Sequence, residues 1–366
     1  MAPAVTRLAV SAPGRICLFG EHQDYLGLPV IAAAVSLRVR IEGRRRDDRE
    51  AHVALPDVGA QETFWLTQRL PYRHDRDYLR SAANVLRAEG MGWSAGFDAV
   101  VRGTIPINAG ASSSSALVVA WIKFLALMSD QAVDLAPDAV ARLAHRAEVT
   151  EFSEPGGMMD HVAAAHGGVS FIRFTPEVVR EPLPTPRWSI VIGDSGEAKD
   201  TRSVLARSKL RVLALQDRLR GGDPSFTFES AAAAGAEPWA RFLAPEERLL
   251  LEGTLRNHRL TLEARGLLST PGADPARLGP LLDEQQGILR EVLGVSTVKL
   301  DAMLAAAAGA GAAGGKLNGS GGGGCMFALV PGDAAQVAGA LRRAGGAPYV
   351  VAVDDGVRVD LLETSP

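Results

Sequence analysis

The residues most suited to chemistry form a serine-rich loop directly ahead of an apolar segment. Residues 106–116 read Pro-Ile-Asn-Ala-Gly-Ala-Ser-Ser-Ser-Ser-Ala, and a helix-like run from Leu117 to Leu127 follows. A chain that enters a helix there presents unpaired backbone N–H groups and the positive end of the helix dipole, and Gly110 lets an anion approach the backbone. The pattern predicts a phosphate-binding loop, although an ordinary capped loop has the same composition.

A second segment near the amino terminus is rich in hydrogen-bonding side chains. Residues 12–27 read Ala-Pro-Gly-Arg-Ile-Cys-Leu-Phe-Gly-Glu-His-Gln-Asp-Tyr-Leu-Gly and concentrate charged and polar groups in a glycine-bounded turn, namely Arg15, Glu21, His22, Asp24 and Tyr25. Carboxylates accept hydrogen bonds from neighbouring hydroxyls, and His and Tyr can donate or accept. The segment therefore suits a polyol ligand, with an ordinary polar turn as the alternative.

Two later segments add carboxylates and a glycine-rich loop. Residues 147–161 place Glu148 at a predicted helix end and Asp160 just past a Pro-Gly-Gly turn. Either carboxylate could hold Mg²⁺ or accept a hydroxyl proton, and helix capping by Asp160 is the alternative. Residues 316–325, Lys-Leu-Asn-Gly-Ser-Gly-Gly-Gly-Gly-Cys, precede a predicted strand, whereas dinucleotide and Walker loops precede a helix. This loop could cover phosphates or form a hairpin turn.

Length and composition limit the class of protein. A chain of 366 residues predicts two domains with a cleft between them. The net charge of −3 provides no basic footprint for nucleic acid or an anionic membrane, so we expect a small-molecule partner. We also expect a monomer or homodimer. Cys17 and Cys325 form no CxxC pair, which fits a reducing cytoplasm. The apolar run from Ala116 to Met128 is too short to cross a bilayer.

The hydrophobic pattern predicts the elements that must position these residues. Strands are predicted over 6–11, 28–42, 169–174, 188–193, 326–330 and 349–353, and helices over 78–88, 137–150, 201–219, 245–265 and 299–308. We expect a hairpin tip over 44–50, less order over 221–238, a turn over 309–316 and a proline-rich linker over 182–186. The predicted domains are therefore residues 1–185 and 186–366.

In order and spacing, the four segments together resemble the GHMP kinases, the family of galactokinase, homoserine kinase, mevalonate kinase and phosphomevalonate kinase. The galactokinase motifs Ala-Pro-Gly-Arg and Gly-Glu-His-Xaa-Asp-Tyr stand at residues 12–15 and 20–25. The motif Pro-x-x-x-Gly-x-Ser-Ser-Ser-Ala falls on residues 106–115, with Ala111 in place of Leu and Ser115 in place of Ala. A galactokinase-like Ala-Glu with a following Pro-x-Gly-x-Met-Asp fits residues 147–160, and the glycine-rich third motif matches residues 318–325.

The resemblance implies an α+β, two-domain GHMP kinase fold. Its N-terminal domain is similar to ribosomal protein S5 domain 2, its C-terminal domain is a ferredoxin-like α/β sandwich, and the active site lies in the cleft between them. The implied activity is transfer of the γ-phosphoryl group of ATP, with Mg²⁺, to a hydroxyl of galactose or a related sugar. Residues 193–202 look closer to the mevalonate kinases, and residues 293–301 resemble mevalonate kinases as much as sugar kinases, so a mevalonate-type kinase is an alternative. A non-catalytic sugar sensor is another, although a sensor has no need of both carboxylates and an intact serine loop.

The same resemblance implies a role for each motif residue. Asp160 is expected to accept or orient the hydroxyl proton, and Arg15 to keep that carboxylate ionised. Ser113 and Glu148 are the implied Mg²⁺ ligands. The implied sugar-binding residues are Glu21, His22, Asp24, Tyr25 and Gly157. The implied ATP-binding residues are Pro106, Gly110, Ser112, Ser113, Ser114, Ser115, Gly321 and Gly322.

Overall fold

The computed structural model describes residues 5–107, 109–154, 156–186, 188–197, 201–240 and 242–365. Its strands are β1 (Val5–Phe19), β2 (Val30–Arg45), β3 (Glu50–Leu55), β4 (Ala60–Trp65), β5 (Phe97–Gly103), β6 (Val169–Arg173), β7 (Val179–Leu183), β8 (Ser189–Asp194), β9 (Gly314–Asn318), β10 (Cys325–Val330), β11 (Ala347–Val351) and β12 (Arg358–Thr364). Its helices are α1 (Tyr78–Ala88), α2 (Ser113–Met128), α3 (Pro137–Glu148), α4 (Met159–His166), α5 (Thr201–Gly222), α6 (Phe228–Ala234), α7 (Glu237–Ala240), α8 (Pro245–Leu268), α9 (Pro275–Gly287), α10 (Val298–Gly309) and α11 (Ala334–Arg343). The predicted helices are thus confirmed.

The first sheet is built around two long strands that open the chain. Its order is β12-β1-β2-β5-β3-β4, and β6 and β7 extend it from the beginning of β2. Residues 39–45 of β2 pair with β5, while residues 30–33 pair with β6, so the sheet branches along this strand. Because β5 lies between β2 and β3, the predicted hairpin tip over residues 44–50 is wrong. That segment crosses over β5 instead.

Helix α2 is the central helix of the first domain and is buried almost all round. Its apolar residues from Val118 to Met128 pack between β1 and the helices α1 and α3, which explains why it lacks a polar face. The one charge in this run, Lys123, extends its stem past the apolar contacts and donates from Nζ to the carbonyl of Leu135 at 2.6 Å.

The second sheet confirms the expected ferredoxin-like sandwich. Its antiparallel order is β11-β8-β10-β9, which is the 4-1-3-2 order of a βαββαβ unit. Three further predictions are wrong, wholly or in part. Residues 221–238 contain helix α6, the turn over 309–316 already includes the start of β9, and the predicted linker over 182–186 is partly strand β7.

One of the buried apolar clusters contains residues of both domains. Ile16 and Phe19 of β1 belong to the same buried cluster as Leu260, Leu282 and Phe327 of the second domain. The last strand, β12, pairs antiparallel with β1, so residues 358–364 lie in the first sheet although they follow the second domain in sequence. The predicted domain boundary between residues 185 and 186 therefore assigns β12 to the second domain, although this strand pairs in the first sheet. The fold is the two-domain α+β arrangement expected from the sequence.

Candidate active site

One cleft between the domains collects most of the predicted site residues. It is bordered by residues 20–25 after β1, called here the sugar-motif loop, by the first turn of α2, by the end of α3, by the turn before α4 and by the beginning of the third motif. The predicted residues that line it are Arg15, Glu21, His22, Asp24, Tyr25, Gly110, Ser112, Ser113, Ser114, Ser115, Glu148, Gly157 and Asp160. Asn108 and Pro155 of the predicted motifs, and residues 198–200, lie outside the described residues.

The serine loop enters helix α2 through a tight turn. Gly110 has a φ of 93°, and Ser112 follows with a φ of 60°, so both lie in the left-handed region. Helix α2 begins at Ser113, and the first turn of the helix borders the cleft as the sequence predicts. The hydroxyl of Ser112 donates to Oδ2 of Asp160 at 2.6 Å, so in this structure it is engaged by a carboxylate.

Arg15 and Asp160 form a two-pronged ion pair at the base of the cleft. Nε of Arg15 lies 2.7 Å from Oδ1 of Asp160, and Nη2 lies 2.9 Å from Oδ2. Burial opposes ionisation of Asp160, but the charge and hydrogen bonds of Arg15, together with the bond from Ser112, outweigh it and lower the pKa of the carboxyl. Asp160 is therefore an anion at neutral pH.

Glu21 occupies a different environment from the one the sequence suggested. Its Oε2 lies 2.9 Å from Nζ of Lys316 and accepts a second bond, also 2.9 Å, from the backbone N–H of Gly319. The Glu21 side chain is 4 % exposed and that of Lys316 is fully buried. At least one carboxylate oxygen of Glu21 thus faces the protein interior, which leaves less of the side chain available to a sugar than we expected.

His22, Asp24 and Tyr25 form a polar wall in the same cleft as the serine loop. His22 has a φ of 62°, and its ring nitrogens contact the carbonyl of Ser320 at 3.1 Å and the hydroxyl of Ser208 at 3.2 Å. Loss of solvation and the charge of Asp160 raise the pKa of Asp24 to about 6, and loss of solvation also raises the pKa of Tyr25.

Gly157 is required where the turn before α4 meets this wall. A Cβ at Gly157 would lie 2.2 Å from Oδ2 of Asp24. Any larger residue would displace the Asp24 carboxylate, so the absence of a side chain keeps Asp24 within the same cleft as Asp160.

Glu148 and Ser113, the two implied Mg²⁺ ligands, both border the cleft. Oε2 of Glu148 lies 2.8 Å from Nε2 of His161, a residue that the sequence analysis did not single out. His161 directly follows Asp160 in the sequence, and this neighbouring position could have indicated it as a candidate site residue. A second overlooked pair is Arg76 with Glu154, joined by bonds of 2.9 and 2.8 Å at the rim of the cleft.

Three residues that were predicted to bind ATP do not line the cleft that the described residues outline. Pro106 precedes the turn, and Gly321 and Gly322 pack against other parts of the second domain. A Cβ at Gly321 would lie 2.2 Å from the carbonyl oxygen of Val295, and one at Gly322 would lie 2.6 Å from a methyl group of Val204. Gly319 and Ser320 border the cleft in their place.

Comparison with known proteins agrees with this fold. Residues 77–168 match the GHMP kinase N-terminal domain, residues 266–347 match the GHMP kinase C-terminal domain, and residues 3–45 match the galactokinase galactose-binding signature. The chain belongs to the GHMP kinase family, whose members are ATP-dependent kinases.

Named relatives fall into two groups. The mevalonate kinase of Pyrococcus horikoshii is 28% identical over 97% of this chain and 98% of its own length. The galactokinase of Actinobacillus succinogenes is 26% identical over 89% of this chain and 86% of its own length.

Solved structures show the same fold. Lactococcus lactis galactokinase complexed with galactose has a TM-score of 0.78 at 21% identity and covers 96% of this chain and 95% of its own. Methanococcus jannaschii mevalonate kinase has a TM-score of 0.73 at 18% identity, covering 95% and 99%. Among the described residues, no helix is both long and apolar enough to cross a membrane.

Proposed function

We propose that this chain is a sugar 1-kinase, which transfers the γ-phosphoryl group of ATP to the anomeric hydroxyl of galactose or a related neutral monosaccharide. The observation that carries the proposal is the wall formed by His22, Asp24 and Tyr25 in the same cleft as Asp160. Groups that accept or donate hydrogen bonds side by side suit a substrate with several adjacent hydroxyls.

The charge of the cleft also favours a neutral acceptor. Among the described residues, five carboxylates and two guanidiniums border it, and the guanidiniums of Arg15 and Arg76 are each already paired with one of those carboxylates. A substrate that carries its own carboxylate, as mevalonate does, would be repelled by Asp24 and its neighbours. The match to the galactose-binding signature over residues 3–45 supports the same assignment.

Asp160 and Arg15 would act on the acceptor hydroxyl as a unit. A carboxylate whose pKa lies below its usual value is a weak base, so its main contribution is to orient the hydroxyl and receive its proton as the new O–P bond forms. The largely dissociative transition state of phosphoryl transfer suits this role, because little proton transfer is needed beforehand. Ser114 and the N–H groups of the first turn of α2 would hold phosphate oxygens.

The residues that border the serine loop fit a divalent cation. Ser113 offers a hydroxyl and Glu148 a carboxylate, and Mg²⁺ prefers oxygen ligands of this kind together with substrate phosphates. A bound Mg²⁺ supplies charge neutralisation at the transferring phosphoryl group. His161 holds one carboxylate oxygen of Glu148 and so limits the rotation of this ligand. We place the activity in the cytoplasm, where the unbridged Cys17 and Cys325 stay reduced.

A panel of acceptors tests the proposal. The purified protein is given Mg·ATP with galactose, other neutral hexoses, galacturonate, mevalonate or phosphomevalonate. ADP release and the phosphorylated product are then measured. We expect a neutral hexose to turn over fastest and to be phosphorylated at the anomeric oxygen. Faster turnover of mevalonate would instead support a mevalonate kinase, the function favoured by 28% identity across 97% of the chain. Sugar binding without ADP release would indicate a sensor.

A further inference from the structure

The end of strand β9 carries two polar side chains that the proposed reaction does not use. Lys316 and Asn318 are two positions apart, so they lie on the same face of the strand. Both residues are fully buried, with no exposed surface. Buried polar groups persist where they are fully hydrogen-bonded, so their partners indicate what this face holds in place.

Lys316 binds the sugar-motif loop through Glu21. Its Nζ lies 2.9 Å from Oε2 of Glu21 and donates to the carbonyl of Leu317, also at 2.9 Å. The backbone N–H of Gly319 donates to the same carboxylate oxygen. Removing one partner of such a pair leaves an uncompensated buried charge, so the position of Glu21 depends on Lys316.

Asn318 binds the serine loop instead. Its Nδ2 donates to the carbonyl of Gly110 at 2.9 Å and its Oδ1 accepts from the backbone N–H of Cys17, also at 2.9 Å. The amide thus joins the second domain to β1 and to the turn that leads into α2.

Three consecutive carbonyls of that turn are held in the same way. The carbonyl of Ala109 accepts from the N–H of Cys325, that of Gly110 accepts from Nη1 of Arg15 as well as from Asn318, and that of Ala111 accepts from the N–H of Arg15. With their carbonyls bonded to protein donors, these peptide groups have a fixed orientation, and the serines that follow enter the cleft from a fixed backbone.

We propose that Lys316 and Asn318 are positioning residues with separate targets. Lys316 fixes the sugar-motif loop through Glu21, and Asn318 fixes the serine loop through Gly110. The main role of Glu21 is then to hold its own loop in place, and binding of the sugar is secondary. The inference rests on the proposed function for the identity of the acceptor, but the positions of the two loops can be measured without any ligand.

Hydrogen exchange of the ligand-free protein tests the positioning directly. We expect faster amide exchange over residues 20–25 in Lys316→Met and over residues 109–115 in Asn318→Ala, with each variant leaving the other loop unchanged. Asn318→Asp is the sharper variant, because it keeps the acceptor for Cys17 but puts an acceptor against the carbonyl of Gly110. Unchanged exchange in the target loop, or equal acceleration in both loops, overturns the assignment.

Ligand affinities should separate in the same way. Asn318→Ala and Asn318→Asp should weaken binding of the ATP analogue AMPPNP with Mg²⁺ about tenfold, with acceptor affinity kept within about threefold. Lys316→Met should weaken binding of the acceptor that turns over fastest in the panel about tenfold, with AMPPNP affinity kept within about threefold. The double variant Glu21→Gln with Lys316→Met buries no unpaired charge but still lacks the bond that holds the loop, so it should regain melting temperature without regaining acceptor affinity. If it regains both, Lys316 stabilises the fold and has no positioning role.

A matched control distinguishes positioning from general loosening. Asn84 is buried in the first domain, where its amide bonds both backbone groups of Leu70, at 2.8 and 2.9 Å. Asn84→Ala should lower the melting temperature without changing AMPPNP affinity. An equal loss of AMPPNP affinity in Asn84→Ala and Asn318→Ala would overturn the inference. If mevalonate replaces a hexose as the acceptor, the proposed function fails. The hydrogen-exchange and AMPPNP results still decide whether Lys316 and Asn318 position the two loops.

Discussion

The guanidinium of Arg15 lies edge to edge with the carboxylate of Asp160, with Nε 2.7 Å from Oδ1 and Nη2 2.9 Å from Oδ2. Two parallel charge-assisted hydrogen bonds fix the plane of the carboxylate as well as its charge. The sequence places these residues 145 positions apart, and the ion pair makes them one functional group.

Replacing Asp160 by Asn should therefore abolish most of the turnover. The amide cannot take up a proton and would put an NH₂ group against Arg15. General acid–base groups contribute about 10²–10⁴-fold, so kcat should fall by that factor while the sugar Kd stays nearly the same. Steady-state kinetics with calorimetric sugar binding measure both. Turnover within a few-fold of the wild type would remove Asp160 from the mechanism.

Sugar binding should depend on pH through Asp24. Its pKa of about 6 means that the carboxylate gains a proton as the pH falls through that value, which replaces an acceptor by a donor. Asp160, with its lowered pKa, stays ionised over the same range. The KM for sugar should rise between pH 7 and pH 5 while the KM for ATP changes little. Asp24→Asn should bind sugar more weakly and show no such pH dependence; the same slope in that variant would assign the titration elsewhere.

The same group should affect stability with a definite sign. Because the folded-state pKa of Asp24 lies above the ordinary value of about 3.9, the folded protein binds this proton more tightly than the unfolded chain does. Ionisation of Asp24 therefore lowers the free energy of unfolding as the pH rises from about 4 to about 6. Asp24→Asn should raise the melting temperature at pH 7 relative to the wild type, and the difference should shrink toward pH 4. A gain that is independent of pH would contradict this account.

Glu148→Gln should raise the Mg²⁺ concentration needed for half-maximal activity, because the amide is neutral and a poorer ligand for a hard cation. Direct Mn²⁺ binding in the presence of AMPPNP gives a readout that does not depend on turnover. Glu151→Gln is a matched control, because Glu151 lies three residues further along the chain and accepts from the hydroxyl of Tyr72 at 2.7 Å. Identical Mg²⁺ dependence in the two variants would show that Glu148 is not a ligand.

Gly321→Ala should destabilise the second domain more than the same substitution does at a left-handed glycine with open space around it. Gly321 has a φ of 75° and no room for a Cβ beside the carbonyl of Val295, whereas Gly272 has a φ of 79° and open space around it. Gly272→Ala should cost about 1–2 kcal/mol of unfolding free energy, from backbone strain alone. Gly321→Ala should exceed that by about 1–3 kcal/mol, because the neighbouring backbone must move. Equal losses in chemical denaturation would mean that the clash relaxes freely.

The sequence by itself determined the parts of the molecule that depend on neighbouring residues. The serine run ahead of an apolar stretch predicts the entry into α2, and the Pro-Gly-Gly turn predicts that Asp160 opens a helix. These signals are local because capping, turn formation and helix periodicity act over a few residues. The family resemblance, and with it the fold, also followed from four short motifs.

Tertiary structure decided which of those residues meet. The placement of β5 between β2 and β3 and the pairing of β12 with β1 join segments far apart in the chain, so periodicity within each segment cannot indicate them. The same applies to Glu21 and Lys316, which are 295 residues apart. A buried charge needs a partner, and only the packing of β9 against the sugar-motif loop shows that Lys316 is that partner.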